Sequence, residues 1–109
     1  MVILMTIQIE NQILKIKSCK TFSSRCLGMM GKKKIFSYGF YFPKCKSVHT
    51  FFMRQNIDII MVNSKNEIVA FYQNAKPWHI FYSKKAYACY EFSTGILNGV
   101  TIGETIILK

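Results

Sequence analysis

Residues 47–62 read S-V-H-T-F-F-M-R-Q-N-I-D-I-I-M-V. They bring a histidine, an arginine and a carboxylate, His49, Arg54 and Asp58, into one apolar stretch of a chain with only two histidines and five acidic side chains. An imidazole held by a carboxylate can move a proton or orient a polar ligand. Arg25 and Glu91 supply a further cation and a further carboxylate, and Trp78 beside Pro77 offers a ring for stacking. These six residues, His49, Asp58, Trp78, Glu91, Arg25 and Arg54, are the candidate ligand-binding set. The same polar groups also suit a structural network in which inward charges satisfy one another, as Arg25–Asp58 or Arg25–Glu91. The structural role is the favoured one, and no residue is assigned a catalytic role.

Other chemistries find little support. Cys19, Cys26, Cys45 and Cys89 form no C-x-x-C and match no zinc spacing. They read as mostly buried thiols in a reducing compartment, with a Cys19–Cys45 disulfide conceivable only in an exported protein. No glycine-rich phosphate loop and no G-x-S-x-G elbow occurs. Ser47 lies two residues from His49 on an expected strand, a poor arrangement for a nucleophile and its base. His79 reads as an exposed loop residue. No metal and no cofactor is expected.

The elements that must position the candidate residues are mostly strands. Ile3, Met5, Ile7 and Ile9 alternate with more polar neighbours, and Leu14 and Ile16 alternate with Lys15 and Lys17. A turn at residues 10–12 joins them as a hairpin. Thr21 can cap a short helix whose apolar face is Phe22, Cys26, Met29 and Met30, ended by Gly31. Residues 38–42 form an aromatic strand stopped by Pro43, and residues 48–54 form another. Residues 57–62 and 67–73 pair as a hairpin, with Asn66 able to take positive φ. Residues 75–79 are a loop and 86–92 a strand. Ser93 caps a turn of helix through Leu97, closed by Asn98 and Gly99, and residues 105–108 are the last strand.

Several segments resemble the bacterial and archaeal family known as domain of unknown function 192. The resemblance rests on Arg25-Cys26-Leu27-Gly28-Met29-Met30-Gly31, the central Cys45–Arg54 segment with H-T-F-F-M-R, and the following Ile57–Val62 run. Lys76-Pro77-Trp78, Glu91, Gly95 and Ile102-Gly103-Glu104-Thr105-Ile106 continue it in order, so it covers roughly residues 13 to 108. The chain departs from the family pattern at Gln55-Asn56, Ser93 and Glu104. The resemblance implies a compact β-rich α+β fold and brings no established activity.

A chain of 109 residues, half of them hydrophobic, suits one domain with a single core. The expected fold class is α+β: a small β-rich domain with a mostly antiparallel sheet or partly closed barrel and one or two short helices. Fifteen Lys and Arg against five acidic residues give a formal charge of +10, which draws polyanions. Most of the lysines are scattered, as on an ordinary solvated surface, and only residues 32–34 and 84–85 form tight groups. No window approaches the ~20 apolar residues of a membrane span, and the N-terminus lacks the features of a signal peptide. A cytoplasmic address follows. The expected function is that of a non-enzymatic binding module for a small ligand or peptide. The alternative is a basic protein that binds nucleic acid or an anionic surface.

Overall fold

The computed structural model describes residues 4–19 and 36–109. Within them lie nine strands: β1 (Leu4–Ile9), β2 (Gln12–Ser18), β3 (Gly39–Phe42), β4 (Ser47–His49), β5 (Ile57–Val62), β6 (Ile68–Ala75), β7 (Ile80–Tyr82), β8 (Ala88–Ser93) and β9 (Ile107–Leu108). Seven share one sheet in the order β6-β5-β8-β3-β2-β1-β9, and β4 and β7 form a separate ribbon. Every pairing is antiparallel except β2 with β3, where Ile16 faces Gly39.

The two expected hairpins form through their turn residues. β1 and β2 pair from Leu4↔Lys17 to Ile9↔Gln12, around Glu10 at φ 52°. β5 and β6 pair around Asn66 at φ 63°, a conformation that asparagine tolerates. Asn63 braces this turn by accepting the Lys65 and Glu67 N–H groups at 3.0 and 2.9 Å.

The α+β expectation is corrected to all-β. Among the described residues there is no helix, and the large sheet curls into a half-barrel. The expected helical turn after Ser93 fails for a physical reason. Ser93 is the buried end of β8, and its Oγ accepts the Phe36 N–H at 2.9 Å instead of capping a helix. Gly95 at φ 94° then turns the chain. The helix expected over residues 21–31 lies outside the described residues. The strand expected over 48–54 is also shorter than read: β4 stops at His49, and Met53 N–H folds back to the Thr50 carbonyl at 3.2 Å.

Both central strands, β5 and β8, are buried along their whole length. Side chains alternate across a sheet, so these strands serve two cores. On one face Ile57, Ile59, Met61 and Cys89 pack with Phe36, Phe40 and Phe42, under Val48 of β4 and Phe81 of β7. On the other, concave face Ile60, Val62, Tyr90 and Phe92 pack with Ile7, Ile9 and Ile16. Gly39 is required by this second core. A Cβ there would sit 2.3 Å from the ring of Phe92, which is fully buried.

The final residues draw the curl together. β9 pairs with β1 through Ile7↔Leu108 and Gln8↔Ile107. A few residues earlier, Gly103 and Ile106 donate to the carbonyls of Ile68 and Asn66, and Glu104 accepts the Ile68 N–H, at 2.8–2.9 Å. One segment thus touches both ends of the seven-stranded sheet. Among the described residues no helix is long and apolar enough to cross a membrane.

Candidate functional site

The polar residues picked from the sequence do not converge. Asp58 pairs with Phe92 and Glu91 pairs with Ile59 across the β5–β8 ladder, so their side chains point to opposite faces. Asp58 is buried at the bulge between Ile57 and Ile59, and its Oδ1 accepts the Asn74 N–H at 2.8 Å. Asn74 takes φ 58° there. Burial raises the Asp58 pKa, while N–H donors from Asn74 and Gly95 act against the rise. Asp58 therefore fastens a bulge and the turn after β8.

Glu91 is sealed in the first core. Among the described residues its Oε1 has no hydrogen-bond partner. Burial, and next the nearby Cys45 thiol, push its pKa to about 8, so it is mainly protonated at neutral pH. Arg25 lies outside the described residues. Arg54 is exposed in the loop after β4.

His49 and Trp78 belong to a different place, the outer face of the β4–β7 ribbon. The register sets Ser47 against Tyr82 and His49 against Ile80 on the outside, with Val48 and Phe81 turned inward. The outer aromatics touch in series. His49 stacks on Phe51 with centroids 4.9 Å apart, Phe51 on Trp78 at 5.8 Å, and Trp78 meets Phe52 at 4.8 Å. Phe52, Trp78, Ile80 and Tyr82 are 61, 60, 66 and 60% exposed. Grouped large apolar side chains at such exposure mark an interaction surface more often than scattered ones do.

Two of these rings are held at a cost. Phe52 and Trp78 have φ of 64° and 67°, where bulky L-residues are rare. The device that holds them is Thr50, fully buried between the two loops. Its hydroxyl donates to the Lys76 carbonyl at 2.7 Å and accepts the His79 N–H at 2.9 Å. Its own N–H reaches the His79 carbonyl at 2.8 Å, and its carbonyl accepts the Trp78 N–H at 2.9 Å. His49 Nδ1 accepts the Phe51 N–H at 3.3 Å. Sequence reasoning missed Thr50, Phe51, Phe52, Ile80 and Tyr82 as site residues. The H-T-F-F run was the visible signal for three of them.

Chemically, this face can stack on flat groups and cover apolar ones. Among the described residues, the two carboxylates picked with His49 lie elsewhere, Asp58 at the bulge and Glu91 in the first core. Among the described residues no group of three His, Cys, Asp or Glu side chains is placed to hold a metal.

The half-barrel with its aromatic ribbon defines a class of small all-β protein. The chain belongs to the DUF192 family, described as "Uncharacterized ACR", whose model matches residues 4–108. A UPF0127 protein of Pyrococcus furiosus is 34% identical over 82% of this chain and 80% of its own length. One of Pyrococcus horikoshii is 35% identical over 64% of this chain, and the match spans only 64% of that relative. Two solved structures share the fold. One, from Sinorhizobium meliloti 1021, whose name proposes a transcription regulator, has TM-score 0.83 and 17% identity, covering 98% of this chain and 95% of that one. The other, a protein of unknown function from Novosphingobium aromaticivorans DSM 12444, has TM-score 0.78 and 16% identity, covering 96% of this chain and 84% of that one.

Proposed function

We propose that this chain is a non-enzymatic binding module that holds a small ligand or peptide segment against the outer face of the β4–β7 ribbon. One observation carries the reading: a buried threonine fixes two exposed aromatic residues, Phe52 and Trp78, in costly backbone conformations. Strain kept at exposed side chains has no packing benefit to explain it, and preorganised rings bind with less entropy lost. The separation of His49 from Asp58 favours binding over proton transfer.

Trp78 is the chain's single tryptophan, so its emission reports on this face alone. A panel of short peptides and ring-bearing metabolites, screened by thermal shift on the full chain, tests the idea. Hits should change Trp78 emission. His49→Ala and Phe52→Ala should weaken them about tenfold or more, some 1.4 kcal/mol, with the unfolding midpoint little changed. Hits indifferent to both substitutions place the site elsewhere and end the proposal.

A second reading, single-stranded nucleic acid, has its own observation. Two of the five acidic side chains, Asp58 and Glu91, are buried with raised pKa, so the surface is more cationic than the formal +10 suggests. Exposed Lys46, Lys84 and Lys85 lie at one end of the ribbon, and Arg54 and Lys76 in the loops at the other. Cations around stacking rings suit a polynucleotide. Poly(U) should then quench Trp78 at low ionic strength, and the affinity should fall steeply with salt. No quenching in low salt removes this reading.

A further inference from the structure

We propose that one end of the half-barrel is a second binding site, taking an uncharged monocyclic molecule that carries a hydrogen-bond acceptor. A cavity of about 190 Å³ opens there on the concave side of the sheet, the side away from the β4–β7 ribbon. That volume is suited to a single ring: a cavity of about 150 Å³ lined by apolar side chains is enough for benzene.

The walls set the class of guest. Ile16, Val62 and Ala88 give an apolar floor, and Tyr41, Tyr87 and Tyr90 bring three phenol rings to the cavity. Tyr41 and Tyr90 lie with centroids 4.8 Å apart and planes tilted 40°. Most of the amide groups here are already engaged. Tyr90 donates to Asn66 Oδ1 at 3.2 Å, Asn66 Nδ2 donates to the Ile106 carbonyl at 2.7 Å, and Asn63 Nδ2 donates to Glu67 at 2.8 Å. The groups left to meet a guest include the hydroxyls of Tyr41, Tyr87 and Ser64.

No charged side chain is among the described residues that line the cavity. A bound anion would have no cation beside it. A bound cation would have ring faces but no carboxylate, in a chain of net charge +10. Burial also raises the Tyr41 pKa and pushes that of Tyr90 to about 12, so these hydroxyls remain neutral donors across the physiological range. An apolar ring with a carbonyl-type acceptor meets all of these conditions, and a charged analogue of the same shape does not.

The test uses three probes of one planar shape on the full chain: benzamide, benzoate and benzamidinium. Binding is read from methyl NMR signals of Ile16, Val62 and Ala88. Benzamide should shift them saturably, and the two ions should bind at least about tenfold more weakly. Tyr41→Phe keeps the ring and removes the hydroxyl, and should weaken benzamide about five- to tenfold, as loss of one hydrogen bond does. Trp78→Ala should leave benzamide binding unchanged, which separates this site from the ribbon face. The inference is overturned if benzamide gives no saturable shift up to its solubility limit. It is equally overturned if the ions bind as well as benzamide, or if Tyr41→Phe has no effect.

Discussion

Glu91 is a carboxyl group in an aliphatic and aromatic core, with one oxygen unpartnered among the described residues. Its folded pKa of about 8 lies above the ordinary value of 4.5. The folded state therefore holds a proton that the unfolded chain has lost, and stability is greatest below the unfolded value. From about pH 4.5 to 8 this group should lower stability by roughly 1.4 kcal/mol per pH unit. Urea unfolding at a series of pH values measures this. Glu91→Gln should flatten the slope and stabilise the protein at alkaline pH. A wild-type slope that Gln leaves unchanged would assign the effect to another group. A second residue-scale expectation concerns Gly39. An added methyl group has nowhere to go except into the Phe92 ring, so Gly39→Ala should cost about 1–3 kcal/mol, read as a lower unfolding midpoint. An unchanged midpoint would mean that β3 can move away from β8 at little cost.

At the scale of elements, the ribbon and its loops depend on Thr50. Thr50→Val keeps the shape but removes the hydroxyl, leaving the Lys76 carbonyl and the His79 N–H without that partner. The expected loss is about 1–3 kcal/mol, with looser Phe52 and Trp78 rings. Near-ultraviolet dichroism and Trp78 anisotropy would register it, and full retention of both signals would show that the backbone bonds alone suffice. This element also shows what could be read in advance. The hairpin β1–β2 was legible from period-two patterning beside a turn, and β5–β6 from an apolar run followed within a few positions by a polar loop with Asn66. The ribbon was not. β7 is only three residues, Ile80–Tyr82, with too few positions to display a period, and its partner β4 lies some thirty positions earlier. Thr50 was opaque for the same reason, since its partners are 26 and 29 residues away. Asp58 and Glu91 were visible as unusual charges in apolar runs. Which face each would point to depended on the ladder register and on a bulge, neither of which adjacent residues encode.

For the whole molecule, the arrangement divides labour across one sheet. The ribbon covers one side and shows aromatic rings to solvent, while the concave side closes around Phe92 and leaves a small cavity at one end. The balance of charge follows the same division, because two acidic groups are spent in the interior. The segment from Gly103 to Leu108 has a consequence of its own. It occupies hydrogen-bonding backbone of β1 on one side, as β9, and of the start of β6 on the other. Unpaired strand borders are templates for the strands of another molecule. Removing residues 103–109 should therefore do more than lower the unfolding midpoint. It should make the protein self-associate with rising concentration more strongly than the full chain, visible by light scattering or sedimentation. A shortened chain that associates no more than the full one would show that something else guards those borders. On this view a few residues at the seam keep neighbouring copies apart, and their worth is measured in the test tube's clarity as much as in its melting curve.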